Sequence, residues 1–397
     1  MAVRVSKPEI NLRDKLNKVE PPIGIHGSQL LKSKSTSETF DLVRAGRRNL
    51  IINGDMRIWQ RSDGADVSKD SNSGLKFGPD RWMFEHGCNQ LVTTLSRSTD
   101  TPLDQGFKYS FQLSPTTAES GLQSSDFAQY MYFIEGYDAA PAQWGTINAK
   151  PCTLSFWLKT SMGGQHYVSL NSNGGTDTWG TSVRSTPNVW EHHVVTIPPP
   201  MTGTWNYTNG RGIEIRIGLM RTGNVTQANS EQWYHGGSGY NGFADANSDW
   251  PFSTSNNAYL TGVQFEIGSQ ATPFEHRSFN EEISLCYRYF RRFDSTGGGD
   301  VYTGYGVGVP NAGNRMLWTR ALDVPMRNEP TISGANVRLY DGTNNLAITS
   351  FATNRSSKSA FWIEPTGGSS PLTTGNGCII GNNNNSDGYI EFNAELA

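Results

Sequence analysis

Apolar and polar residues alternate with a period of two over much of the chain between residues 49 and 279, as in strands that bury one face. In the run 153–159, Leu154, Phe156 and Leu158 predict the buried face, and the residues between them predict the outer face. Comparable runs occupy residues 107–113, 129–134, 167–170, 193–197, 213–219 and 259–267. Turn-rich links separate these runs, so the pattern predicts an antiparallel β-sandwich of jelly-roll type over residues 49–279.

A short apolar run opens this region. Residues 50–52 predict a strand, residues 53–55 predict a turn, and the alternation over residues 56–61 predicts a second strand. Together they predict a hairpin-like start to the sandwich.

The pattern changes after residue 279. Asn280 predicts the cap of a linker helix whose apolar face carries Ile283, Cys286, Tyr287, Phe290 and Phe293. Glycines 297–299 then interrupt the chain. Short strand patterns follow at residues 301–309, 316–322, 331–333, 337–340, 347–351, 360–363, 378–380 and 389–392. Residues 280–397 therefore predict a linker helix and a smaller, distal C-terminal β-domain.

Residues 1–48 predict a short helical arm. Leu12, Leu16 and Val19 form one narrow apolar stripe, and a capping box at residues 35–38 precedes Phe40 and Leu42. Helices this short are marginally stable alone, and so narrow a stripe needs a partner. We expect these five residues to anchor the chain, either to the same arm of sister chains or to a larger particle.

Composition and charge narrow the classes of partner. Charged residues make up only 17% of the 397 residues and 43 are glycine, which favours strands and turns over long helices. The first 50 residues carry a net charge of +5, and the remainder carries −8. Only Phe40 interleaves with the basic residues, so we expect an acidic protein surface rather than nucleic acid as the partner of the arm.

Other partners and cofactors leave no signature. No run reaches the roughly 20 apolar residues of a membrane span, and the N-terminus lacks a signal-peptide core, so we expect no membrane insertion and no Sec-type export. Asn53, Asp55 and Asp80 do not form a contiguous calcium loop, so we expect no metal and no cofactor. The cysteines are scattered, which favours buried free thiols over disulfides: Cys88, Cys152, Cys286 and Cys378.

Several stretches resemble a known family. The resemblance is to the jelly-roll, carbohydrate-binding-module-like domain that recurs in fibre proteins of tailed bacteriophages, and it is carried by residues 49–61, 80–82, 262–277 and 281–290. A further stretch, residues 324–331, resembles a recurrent sequence in the C-terminal part of those proteins. The resemblance covers most of residues 49–330. It implies a structural virion protein, assembled in the host cytoplasm into a homo-oligomer, with a trimer as the expected state. A tail-fibre subunit for host attachment is the expected role, and a head-fibre or capsid-decorating protein is an alternative.

An enzyme of another class, a polysaccharide depolymerase, is the competing interpretation. Glu135 and Asp138 are the nearest carboxylate pair, but a glycosidase needs two carboxyls about 5 to 10 Å apart across a cleft. No nucleophile, metalloprotease or nucleotide-binding motif occurs, and no β-helix repeat is visible. We therefore expect no catalytic residues and no enzymatic activity.

Exposed aromatic residues are the better candidates for function, because flat rings stack on the apolar faces of sugars. Four aromatic residues lie in polar, glycine-flanked segments and are the candidate glycan-binding residues: Trp205, Tyr207, Trp233 and Tyr234. The alternative for both tryptophans is core packing, which is the usual role of tryptophan in a sandwich.

Overall fold

The computed structural model describes residues 47–62, 64–222, 231–235, 249–295, 301–353 and 357–396. The predicted helical arm and its anchoring residues, Leu12, Leu16, Val19, Phe40 and Leu42, lie outside the described residues.

Two antiparallel sheets form a sandwich, as the alternating pattern predicts. The first sheet has the order β1 (Val67–Lys69), β4 (Val92–Ser98), β5 (Ser110–Thr117), β13 (Ala258–Ile267), β7 (Cys152–Thr160) and β10 (Glu191–Ile197). The second has the order β12 (Tyr234–His235), β9 (Asp177–Ser185), β8 (Gly164–Asn171), β11 (Arg211–Arg221), β6 (Phe127–Glu135), β3 (Trp82–His86) and β2 (Lys76–Phe77). The core lies between the sheets, and Leu154, Phe156 and Leu158 point into it as predicted.

The predicted hairpin at residues 50–61 does not form. Residues 49–62 are an irregular segment, although most of its side chains are buried. Asn53 replaces strand pairing with its own side-chain bonds: its amide nitrogen donates to Ile58 O at 2.9 Å and to Asp80 O at 3.0 Å. Asn53 also has a left-handed backbone with φ of 58°, which interrupts any strand at this point.

The helical interpretation of residues 280–293 is only partly right. Helix α2 (Phe279–Tyr287) is capped by Ser278, whose hydroxyl accepts from the Glu281 N–H at 3.2 Å, so Asn280 is not the cap. Strand β14 (Phe290–Asp294) then follows, because its backbone pairs with β22 (Tyr389–Asn393) near the C-terminus. Strand pairing with a distant segment thus overrides the local helical spacing. The other helices among the described residues are short: α1 (Gly136–Ala139) and two 3₁₀ turns, Ala140–Ala142 and Trp250–Phe252.

All eight predicted C-terminal strands form, with small shifts at their ends. Strands β14 and β22 make a three-stranded sheet with β17 (Thr331–Ala335). A closed six-stranded barrel has the order β15 (Gly304–Ala312), β16 (Arg315–Ala321), β20 (Ala360–Gly367), β19 (Asn345–Thr353), β18 (Val337–Tyr340) and β21 (Cys378–Asn382). The strand pattern does not predict that the barrel closes, because closure depends on pairing between distant strands.

Helix α2 and the C-terminal tail pack on the outer face of the second sheet. Met131, Phe133 and Tyr289 form a small apolar cluster there, joined by Leu396 of the tail. We call the polar layer beside this cluster the junction; it is made of Arg81, Glu135, Arg288, Tyr289 and Glu395. The buried Arg81 pairs with Glu395, and Arg288 Nε donates to Glu135 at 2.8 Å. The junction therefore ties the C-terminal strands to the sandwich.

Within the described ranges, no helix combines the length and the apolar character needed to cross a membrane. No group of three or more His, Cys, Asp or Glu side chains in those ranges is placed to hold a metal ion. All four cysteines are buried free thiols, and burial raises the pKa of Cys88 to about 12.

Candidate functional site

The structure brings the two predicted tryptophans together with two others. Trp205 and Trp233 pack edge to face with centroids 5.4 Å apart, and Trp144 lies 4.9 and 5.3 Å from them. Trp179 adds a ring 6.4 Å from Trp233. We call these four rings the tryptophan cluster. Trp205 is only 9% exposed and belongs to the core, and Trp233 packs partly buried against it. Packing is thus a major role of both residues.

The two predicted tyrosines lie beside the cluster and differ from each other. Tyr207 is 37% exposed, and its hydroxyl donates to Trp144 O. Burial of that hydroxyl raises the pKa of Tyr207. Tyr234 is half-buried in the edge strand β12, where it pairs with Thr178. Tyr207 therefore supports the tryptophan cluster through Trp144, whereas Tyr234 extends the edge of the second sheet.

A cleft of about 630 Å³ opens at the edge of the cluster. The β8–β9 turn, residues 203–206 and strand β12 line it. We call it the tryptophan cleft and define it by Asp177, Trp205, Asn206 and His235. Trp205 supplies apolar surface to its lining, and the other three residues supply polar groups. Of the four predicted site residues, only Trp205 lines this cleft directly.

A chain of hydrogen bonds fixes the polar side of the cleft. The buried Asp177 carboxylate lies 2.7 Å from His235 Nδ1, and His235 Nε2 lies 3.1 Å from the Thr202 hydroxyl. The second Asp177 oxygen accepts from the Thr204 N–H at 3.0 Å. The imidazole, whose side chain is 39% exposed, therefore has a defined orientation toward solvent.

Local sequence explains how the loops reach this geometry. The β8–β9 turn is closed by the Ser172 hydroxyl, which accepts from the Asp177 N–H at 3.0 Å. Gly203 has φ of +99°, and a Cβ on it would lie 2.4 Å from Asp177 Oδ1. Only glycine lets the loop approach the carboxylate this closely.

Sequence reasoning missed Asp177, Asn206 and His235. The turn Asn173-Gly174-Gly175 between alternating runs is a hairpin signal that could have placed Asp177 at a strand start. No local pattern connects Asp177 with His235, which lies 58 residues away. Their pairing depends on β12 joining the edge of the second sheet.

The carboxylate pair considered for catalysis has another role. Glu135 is 1% exposed, and both of its oxygens accept from Arg288, at 2.8 and 2.6 Å. The Tyr289 hydroxyl donates to it at 2.6 Å. A carboxylate held in this way is closed to substrate. Asp138 lies in α1, and neither residue lines the tryptophan cleft.

No protein-family model and no curated protein matches the sequence. Among solved structures, the chain is similar to the enzymatically active domain of tailspike protein 4 of bacteriophage CBA120, with 13% identity over 55% of this chain and 21% of that one (TM-score 0.29). It is also similar to a CBM4 structure, with 15% identity over 54% of this chain and 98% of that one (TM-score 0.26). TmCBM61, solved with β-1,4-galactotriose, has 10% identity over 56% of this chain and all of that one (TM-score 0.26). The chain thus spans about a fifth of the tailspike domain. Likenesses this distant concern the β-sandwich fold alone.

Proposed function

We propose that the chain is a structural protein of a tailed-phage virion, a tail-fibre subunit that attaches through its N-terminal arm and binds a host-surface glycan in the tryptophan cleft without turnover. One observation supports glycan recognition. The lining of an open cleft combines the apolar surface of Trp205 with the fixed polar groups of Asp177, Asn206 and His235. Sugars present apolar faces edged by hydroxyls, which this combination fits. The virion role is supported by the sequence resemblance over most of residues 49–330.

Binding of purified full-length protein to host surface polysaccharide tests glycan recognition. We expect saturable binding that Asn206→Ala weakens, because Asn206 is a polar residue of the cleft lining. Thr196→Ala, an exposed change on β10 in the other sheet, is the matched control and should bind like the unmodified protein. Equal binding by both variants, or none by the unmodified protein, would contradict the proposal.

Location and assembly need separate measurements. A cryo-EM map of the virion that locates this chain on the tail supports the tail-fibre role, whereas a location on the capsid supports the head-fibre alternative. Light scattering on the purified protein should give a homotrimer, since the apolar stripe of residues 12–19 needs sister chains. A monomer at micromolar concentration would refute the trimer. Removal of residues 1–48 should leave a folded protein that virions no longer incorporate.

One observation favours the enzymatic alternative. The sequence of contacts from Thr202 through His235 to Asp177 has the hydroxyl–imidazole–carboxylate order of acyl-transfer hydrolases. The adjacent Thr204 N–H, however, donates to Asp177 and is closed to an oxyanion. We therefore retain binding as the function. Release of acetate from acetylated host polysaccharide, abolished by Thr202→Val, would overturn that choice.

A further inference from the structure

A second cleft lies on the sandwich, lined by none of the residues of the tryptophan cleft. Its volume is about 500 Å³, and it opens between the irregular segment 55–60, the loop before β5 and the segment that leads into α2. We call it the basic cleft and define it by Asp55, Lys108, Tyr109, His276 and Phe279. Its lining also contains three arginines, Arg57, Arg97 and Arg277.

Asp55 lines this cleft and has one carboxylate oxygen without a hydrogen-bond partner in the described part of the chain. The residue is 8% exposed, and its Oδ2 lies 3.0 Å from Arg57 Nε. Its Oδ1 is buried and has no hydrogen-bond partner. Burial raises the pKa of Asp55 to about 6, against the opposing effect of Arg57. A buried carboxylate oxygen without a donor is costly, so a bound hydroxyl group would relieve it.

The lining of the cleft also combines positive charge with two aromatic rings, the partly buried Tyr109 and the exposed Phe279. Lys108 is exposed and has no ion-pair partner in the described part of the chain, and its Nζ lies 5.1 Å from the Tyr109 centroid. Arg97 Cζ lies 4.8 Å from the same ring. Phe279 is 53% exposed. In contrast, Arg277 is occupied: its guanidinium donates to Asn49 O and to Ile51 O. Lys108 is therefore the main available cation.

We propose that the basic cleft binds an acidic sugar unit, in which a carboxylate meets Lys108, a hydroxyl donates to Asp55 Oδ1, and the apolar face of the ring lies against Tyr109 and Phe279. A simple anion satisfies only Lys108, and a neutral sugar leaves Lys108 unpaired. A uronate residue carries the hydroxyls, the carboxylate and the apolar face together. This site and its ligand class are independent of the proposed function, because the residues that define the two clefts differ.

Titration of the full-length protein with short oligomers of glucuronate, galacturonate and mannuronate, followed by saturation-transfer NMR, tests the proposal. At least one oligomer should bind, and its methyl ester, which keeps the hydroxyls but lacks the charge, should bind at least about threefold more weakly, because it loses the exposed pair with Lys108. Binding should also weaken as salt increases. Binding of none of the three overturns the proposal, as does equal binding of acid and ester. Full competition by inorganic phosphate also overturns it, because that result describes a general anion site.

Variants locate the site. Asp55→Asn should weaken uronate binding about tenfold through loss of a charged acceptor, and the exposed Lys108→Met should weaken it about threefold. Lys358→Met, which changes an exposed lysine in the bend before β20, is the matched control and should have no effect. If Asp55→Asn impairs folding, uronate binding by the Lys108→Met variant alone tests the proposal. His235→Ala at the tryptophan cleft should leave uronate binding unchanged. The proposal for the basic cleft and the proposal for the tryptophan cleft can therefore be refuted separately. Unchanged uronate binding by Lys108→Met overturns the proposal.

Discussion

The junction and the β8–β9 hairpin both bury polar side chains, but they satisfy them in different ways. At the junction, Arg81 and Glu395 are two opposite charges held by each other and by further partners. On the hairpin, the buried His166 is neutral, and Asp177 reaches an imidazole that faces solvent. Charges paired on all sides hold two parts of a molecule together, whereas a carboxylate at an open edge orients groups for a ligand. The comparison predicts that substitutions at the junction lower the stability of the fold. Around the hairpin, the substitutions that lower stability and those that weaken glycan binding should fall at different residues.

The largest effect is expected at the junction. Arg81→Met leaves the Glu395 carboxylate buried without its main partner and removes the donor to Phe133 O, which lies 2.6 Å from Arg81 Nη2. Breaking a buried ion pair in this way should lower the free energy of unfolding by about 4 kcal/mol. Denaturant titration followed by tryptophan fluorescence measures the loss.

Arg184→Met is the control for this change, because Arg184 is exposed and makes one surface hydrogen bond, to Gln165 at 3.0 Å. Its cost should stay below about 1 kcal/mol. Similar losses for the two variants would mean that the buried pair at the junction contributes no more to stability than a surface hydrogen bond does.

The sequence could predict the elements that meet at the junction but not their pairing. The period-two runs predict β6, and the helical spacing predicts most of α2. Arg81 and Glu395 are separated by 314 residues, and no local sequence pattern predicts their contact. The failed hairpin at residues 50–61 has a similar cause. Its apolar residues are buried as predicted, but the side chain of Asn53 takes the hydrogen bonds that a second strand would have made.

Trp205→Ala should give the next largest effect, on stability. The ring is almost buried and packs against Trp144 and Trp233, so its removal leaves a cavity in the sandwich core. The free energy of unfolding should fall by about 3 kcal/mol, and Trp205→Phe should recover most of that loss. A Trp205→Ala variant with unchanged stability and weakened glycan binding would instead show that the ring acts mainly on the ligand.

A fall in pH should destabilise the hairpin through His166. This imidazole is 1% exposed, its Nε2 lies 2.7 Å from the Ser185 hydroxyl, and burial lowers its pKa to about 4. Because the folded pKa lies below the ordinary histidine pKa of about 6.5, the stability that His166 contributes is complete above pH 6.5 and is lost as pH falls toward 4. The loss between pH 7 and 4.5 should be about 2 kcal/mol.

His166→Gln, compared with the unmodified protein over the same pH range, isolates this contribution. Asp55 acts in the opposite direction, since its pKa is raised to about 6 and its ionisation disfavours the folded state as pH rises. His86, whose pKa is also lowered to about 4, acts in the same direction as His166. Both remain in the variant, so the difference between the two pH profiles belongs to His166. Parallel profiles would contradict the prediction.

The candidate site was predictable in part, for reasons visible in its residues. Polar, glycine-rich surroundings singled out Trp205 and Trp233, and the structure places both in one cluster beside a cleft. The same signal could not show that Trp205 is almost buried, because burial is set by the neighbouring strands. Asp177 and His235 were missed because neither belongs to a recognisable sequence motif. Their side chains pair only once β12 joins the edge of the second sheet.

The smallest expected effect on stability falls on His235. Its side chain is 39% exposed and, among the described residues, forms hydrogen bonds with Asp177 and Thr202, so His235→Ala should cost less than about 1 kcal/mol of stability. Glycan binding should nevertheless weaken about tenfold, because the variant loses the polar group that Asp177 holds toward the cleft. His192→Ala, which removes an exposed imidazole on β10 in the other sheet, is the matched control; it loses a ring contact with Trp157, so it should have a similarly small cost in stability but leave glycan binding unchanged. If His235→Ala instead unfolds the protein, Asp177 and His235 form a structural pair like those of the junction, and the distinction between the two regions fails.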